Sequence, residues 1–237
     1  MRLDKFICDT TGITRSKAKS LILAGKVYVN GILNRDSKSQ VDTENDHVLL
    51  DNKKIEYSRY KYIMLNKPAG VVCANADKKY KTVFDLLDES TYKRNMFVCG
   101  RLDRDSTGFV LLTNDGPLAH ILLSPKSHVS KVYEVVVKND DTLGYEQAFA
   151  KGIKLDGNII CRPAVFLKVD TNICRLEIVE GKFHQVKRMF EALGNKVLSL
   201  KRIKFADIDL DVSLKEGEFR YLSDFEQEKL LAKRTKK

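Results

Sequence analysis

Five apolar runs of strand length recur along the last three-quarters of this 237-residue chain: Tyr62–Leu65, Phe109–Leu112, Val132–Val137, Ala164–Val169 and Cys174–Val179. Each is rich in β-branched or aromatic residues and is too short to be a buried helix. Only two helical patterns stand out around them, Gln185–Leu193, closed by Gly194, and Asp224–Lys233. Strands that follow one another with few helices between them point to an α+β fold rather than a doubly wound parallel sheet. Before residue 58 the pattern is different. Leu3, Phe6 and Ile7 recur at helical spacing up to a Thr10-Thr11-Gly12 stop, and Thr14 caps a second helix over Arg15–Leu23 that Gly25 ends. Val27–Val29 then leads into the tight turn Asn30-Gly31, and a second strand pair follows near Val48–Leu50 and Lys54–Tyr57. The polar stretch Tyr57–Tyr60 reads as a linker, which divides the chain into residues 1–58, 61–232 and a basic tail, 233–237, expected to be disordered and solvated.

Charge and cysteine usage narrow the function. The formal net charge is +10, which suits a partner that is a polyanion. On the second helix Ala18, Leu21 and Ile22 form the apolar stripe while Arg15, Lys17 and Lys19 stay outside it. The five cysteines, Cys8, Cys73, Cys99, Cys161 and Cys174, include no C-x-x-C pair, so reduced buried thiols are expected rather than zinc or a disulfide framework. No apolar run is long enough to span a membrane, and the N-terminus lacks the apolar core of a signal peptide. The expectation is a cytoplasmic protein.

Four short clusters carry chemistry. Gly100-Arg101-Leu102-Asp103-Arg104-Asp105-Ser106-Thr107-Gly108 is a polar, glycine-bounded loop between two apolar strands, with two carboxylates and two arginines in five positions. Glu180-Gly181-Lys182-Phe183-His184-Gln185-Val186-Lys187-Arg188-Met189 joins a strand to a helix and places Lys187 and Arg188 in the first turn, where the helix dipole disfavours cations and an anion is expected nearby. Lys131, Tyr133 and Val135 share one face of a strand. Leu65-Asn66-Lys67-Pro68-Ala69-Gly70 is a strand end followed by a turn. His184 has no other histidine at ligand spacing and reads as a hydrogen-bonding group.

Taken in chain order the four clusters resemble the motifs of the RsuA family of pseudouridine synthases (ribosomal small subunit pseudouridine synthase A). Thr113-Asn114-Asp115-Gly116 continues the Gly100–Gly108 cluster, and Phe190 to Gly194 the Glu180–Met189 cluster. The opening Arg2-Leu3-Asp4, the Thr14-Arg15-Ser16 helix start and Gly25 to Gly31 resemble the small RNA-binding domain of the S4 type. The resemblance covers nearly the whole chain. Ser106 stands where threonine is commoner, and Lys187 where arginine is.

The resemblance implies a catalytic domain with a mixed, mainly antiparallel sheet flanked by helices, an RNA cleft across it, and a reaction that needs no cofactor and no metal. It implies Asp103 as the catalytic carboxylate, Lys187 as its salt-bridge partner with Arg188 as the competing candidate, and Tyr133 stacked on the uracil. Expected RNA contacts are Arg15, Lys17, Lys19, Lys67, Arg101, Arg104, Lys131, Lys182, His184, Gln185 and Arg188. The expected partner is ribosomal RNA or a ribosomal-subunit assembly intermediate, met by a monomer. The aromatic-His-Gln form of Phe183-His184-Gln185 is similar to the 16S enzymes, whereas large-subunit enzymes usually carry Asn-Arg-Gln. The rival readings are a 23S enzyme, a non-catalytic RNA-binding assembly factor, and a metal-dependent nuclease using Asp103, Asp105 and Asp115.

Overall fold

Two units of the computed structural model are held by separate cores: Met1–Lys61 with Leu87–Met96, and Tyr62–Leu86 with Phe97–Lys237. Residues 1–88, 91 and 95–234 are described. The first unit opens with α1 (Leu3–Thr11), ended by Gly12 in the left-handed region, and α2 (Arg15–Leu23), where the Thr14 side chain accepts from the Lys17 amide. The sheet that follows runs β2-β1-β3-β4, from β1 (Val27–Val29), β2 (Ile32–Leu33), β3 (Val48–Leu50) and β4 (Lys53–Ile55). Asn30 and Gly31 both take positive φ, as do Asp51 and Asn52. These are the two-residue turns whose twist matches paired strands. Leu3, Phe6, Ile7, Ala18, Ile22, Val27, Val41 and Val48 form the core of this unit. Leu21, expected on the buried stripe, is only half-buried.

The second unit is built on one large sheet. Its elements are β5 (Tyr62–Lys67), β6 (Phe97–Cys99), β7 (Thr107–Thr113), α3 (Gly116–Leu123), β8 (Lys131–Val137), α4 (Tyr145–Lys151), the hairpin β9 (Lys154–Leu155) and β10 (Ile159–Ile160), β11 (Val165–Lys168), β12 (Ile173–Ile178), α5 (Gln185–Ala192), β13 (Val197–Phe205), β14 (Ile208–Asp209), β15 (Phe219–Tyr221) and α6 (Asp224–Leu231). The sheet order is β11-β12-β8-β13-β7-β5-β15, with β14 on β13 and β6 on β7. Among the described pairings of this sheet β13–β7 is parallel and the rest are antiparallel. This is the mixed, mainly antiparallel sheet expected.

The parallel pairing shapes the site. β13 lies beside β7 only at Lys201↔Thr107 and Arg202↔Gly108, whereas β6 takes the next stretch, Leu111 to Thr113. Where the two neighbours part, buried carbonyls need donors. The Arg202 guanidinium, 1% exposed, supplies them, donating to Phe109 O at 2.7 Å and Gly100 O at 2.6 Å. Gly108 (φ +98) lets the strands meet, because a Cβ there would stand 2.3 Å from the Arg202 carbonyl oxygen.

The tail departs from expectation at its start. Lys233 pairs with Asp207, and Arg234 pairs with Asp115, which is fully buried and also accepts from Tyr62 Oη and the Leu118 amide. A buried carboxylate needs partners, and the chain end provides one. Residues 235–237 lie outside the described residues.

Candidate active site

The Gly100–Ser106 loop leaves β6, doubles back and enters β7, so that its side chains stand over the gap that Arg202 fills. Its shape is set from below. Lys67, at the end of β5, is fully buried and donates to three carbonyls: Pro68 at 3.0 Å, Arg104 at 3.2 Å and Ser106 at 2.7 Å. The Gly70 amide donates to Arg104 O at 2.8 Å, and the Leu102 amide to Cys73 Sγ at 3.3 Å. Burial pushes the Lys67 ammonium below the usual lysine range. Lys67 was expected at the RNA, but a side chain with no surface cannot meet a phosphate; the Asn66–Gly70 turn braces the loop from inside.

Asp103 is presented at the top of the loop with its side chain 29% exposed, so it is half-buried rather than sealed. Lys187, in the first turn of α5, stands between the two loop carboxylates, 3.3 Å from Asp103 Oδ2 and 2.7 Å from Asp105 Oδ1. Burial alone would lower the lysine, but the Asp105 hydrogen bond and the charges of both carboxylates raise it overall. The same hydrogen bond holds the Asp105 carboxyl below its usual range. This is the anion that a cation in a first helical turn requires. Arg188 faces away, donating to Phe183 O and Asp156 O at 3.4 Å each. Of the two candidates, Lys187 faces Asp103.

His184 takes the left-handed conformation (φ 48) at the N-cap of α5. Its Nε2 lies 3.5 Å from Asp103 Oδ1, and its ring stacks on Phe183 with centroids 3.8 Å apart. Gln185 was expected at the RNA; it is buried, donating to Glu180 Oε1 and accepting from the Lys182 amide, so it ties the α5 entry loop together. Lys182 pairs with Glu180.

Asp103, Lys182, His184 and Gln185 line a cavity of about 810 Å³. Tyr133 and Lys131, on the buried face of β8, form its floor with Arg202, and Val72, Ile178, Val186 and Leu200 line its apolar parts. Tyr133 is 7% exposed, and its hydroxyl hydrogen-bonds to none of the described residues. Lys131 is nearly buried. It donates to Val129 O at 2.7 Å, and burial, then the Arg202 charge, brings its pKa down to about 8. It can meet a group that enters the cavity but not a phosphate on the outer surface. Arg101 is exposed at the mouth, while Arg104 lies over the Tyr80 ring at 4.3 Å. The Ser106 hydroxyl is buried against the cavity without a partner among the described residues. The roles of Arg202 and Cys73 escaped the sequence reading: Arg202 lies in the basic run Lys201-Arg202-Ile203-Lys204, outside the four clusters, and Cys73 reads as one of five reduced thiols. The three carboxylates of the nuclease reading do not converge, because Asp115 is committed to Tyr62, Leu118 and Arg234. Among the described residues no group of three His, Cys, Asp or Glu side chains is placed to hold a metal ion.

In the first unit Arg15 lies outside the apolar stripe, as expected, yet it is not free. With Arg2 it closes on the fully buried Asp4. Burial would raise that carboxyl, but the two arginine hydrogen bonds bring it down to about 2. Lys17 and Lys19 are exposed.

Comparison with known proteins meets this geometry from the other side. Residues 1–48 match the model of the S4 domain, and residues 61–192 that of the RNA pseudouridylate synthases. The ribosomal small subunit pseudouridine synthase A of Haemophilus influenzae is 42% identical over 232 residues, covering 98% of this chain and 100% of the relative. An RNA pseudouridine synthase of Bacillus subtilis is 39% identical over 231 residues, 95% of this chain and 96% of the relative. A crystal structure of a pseudouridylate synthase superposes with a TM-score of 0.69 at 41% identity, over 97% of this chain and 99% of the other. A half-buried aspartate over a tyrosine-floored cavity, in a chain about 40% identical to these relatives over nearly its whole length, leaves one assignment: the protein belongs to the RNA pseudouridylate synthase family.

Proposed function

We propose that the protein converts uridine to pseudouridine in ribosomal RNA of the small subunit, with Asp103 as the reacting carboxylate. The observation that carries the reading is the placement of Asp103, paired with Lys187, over the Tyr133 floor of one cavity, supported by the small-subunit naming of relatives such as those of Haemophilus influenzae and Escherichia coli. In the reaction the bond from uracil N1 to ribose C1′ breaks, the base turns, C5 bonds to C1′, and the proton lost from C5 is balanced by one gained at N1. No electrons, phosphate or water are exchanged. An ionised carboxylate can attack the sugar or the base or take a sugar proton, and the Lys187 ammonium stands 3.3 Å from it.

The target uridine leaves its stack to enter the cavity, at a cost of a few kcal/mol where it is paired. Tyr133 receives the uracil, and its unspent hydroxyl lies within the cavity where the C5 proton is released. The Ser106 hydroxyl and the ammonium donors of Lys131 not used by Val129 O are further polar groups available to the base. Exposed Arg101, with Lys17 and Lys19 of the first unit, supplies phosphate contacts that offset the cost of extrusion. One copy of the chain contains every group used, so it acts as a monomer, in the cytoplasm where ribosomal subunits are assembled. Pseudouridine mapping in rRNA from cells with and without the protein tests the reading. One small-subunit uridine should lose its modification when the protein is absent, and the purified protein should restore it. A lost site in 23S rRNA, or no lost site, overturns it.

A further inference from the structure

Phe183 is 76% exposed at the mouth of the cavity. A single apolar side chain in water needs no explanation by itself; its surroundings set this one apart. The ring stacks on His184 with an interplanar angle of 17°. The edge of His184 reaches Asp103 at 3.5 Å, so the two rings form a short column whose inner member touches the reacting carboxylate and whose outer face is open. The column is also held in place. His184 is set by its left-handed backbone at the start of α5, and Arg188 ties the Phe183 carbonyl to that of Asp156. Phe225, similarly exposed, has the Lys229 ammonium over its ring and lies outside the cavity lining.

A flat, rigid aromatic face beside a cavity that takes an extruded base is what an unstacked nucleobase binds, because every base has a π face. We propose that Phe183, backed by His184, is a specificity-determining platform on which the base next to the target uridine stacks, so that the enzyme selects sites with an unpaired neighbour. Arg188 is the positioning residue of this platform. The proposal rests on the reading of Asp103 as the reacting carboxylate, because only then is the stacked base one nucleotide from the target.

The test uses an RNA fragment carrying the mapped uridine, with 2-aminopurine placed in turn at each flanking position. Binding of the Asp103→Asn protein should quench the fluorescence at one position, and adding Phe183→Leu should remove the quench. In turnover, Phe183→Leu should raise KM roughly 5- to 100-fold, the range for loss of one aromatic–base stack, with kcat changed less than about twofold and Phe183→Tyr restoring KM. On RNA lacking the base at that position, wild type and Phe183→Leu should become equal. No quench at either position, or a Phe183→Leu cost that persists on the abasic RNA, overturns the platform. The quench needs binding alone, so it is read even if the wild type leaves uridine unconverted, a result that would instead overturn the assignment of the reaction.

Discussion

Lys187 is shared unequally, lying nearer to Asp105 than to Asp103. Asp105 therefore competes for the cation that the reacting carboxylate uses. Asp105→Asn should free Lys187 to close on Asp103 and leave the single-turnover rate largely unchanged. Lys187→Met, which leaves two carboxylates without their cation, should lower that rate by roughly tenfold or more. Lys187→Arg should retain most of it. A Lys187→Met rate equal to that of the wild type would show that the cation does not support the reaction. Asp103→Asn keeps the shape and removes the charge; it should lower turnover below detection while RNA affinity, measured by filter binding, changes less than about threefold. Much of this constellation was legible. The polar loop between two apolar strands marked the segment, the family resemblance singled out Asp103 within it, and the misplaced cation in a first helical turn pointed to a carboxylate partner. What misled was the assumption that a lysine or glutamine in a motif expected to meet RNA is itself wet. Lys67 finds three carbonyls and Gln185 a buried glutamate, and those acceptors come from residues up to 39 positions away.

On α2 the charges divide. Lys17 and Lys19 are free to meet phosphates, but Arg15 stabilises Asp4. Lys17→Ala with Lys19→Ala should flatten the slope of log affinity against log salt by roughly one to two, since each lost phosphate contact removes about 0.7–0.9, with stability unchanged. Arg15→Ala should instead raise amide hydrogen exchange in α1 and α2. Asp4 also gives a pH dependence. Its folded pKa of about 2 lies below the ordinary 3.8, so its stabilisation is complete above about pH 4 and is lost as pH falls from there toward 2. Asp4→Asn should remove that acid-dependent loss and show weakened α1 protection already at pH 7. At this scale the sequence was most readable where local chemistry decides the structure, as at the Thr14 cap and the Asn30-Gly31 turn. β13 was missed because register shifts beside Ser199 and Ile203 break its alternation and a buried arginine occupies its inner face. α3 left a usable signal, an Asp115 cap with Pro117 in the first turn, overshadowed by the motif in which Asp115 lies.

Across the molecule, the chain end acts as a strut. Arg234→Ala should leave Asp115 buried and short of a cation, costing on the order of 2–3 kcal/mol for a partly exposed partner, or a fall in Tm of about 5 °C or more. An unchanged Tm would show that Tyr62 and the α3 cap satisfy Asp115 alone. The parallel seating of β13 against β7 has a consequence in time. Gly108 and Arg202 lie 94 positions apart, and no hairpin can bring parallel neighbours together. Seating the floor beneath Asp103 therefore requires a long loop to be drawn shut, a non-local step of the kind that slows folding. A nascent chain that has exposed Asp103 but not yet β13 lacks the Leu200 and Arg202 side of the cavity, so the site is completed only once residues up to 205 are available to fold.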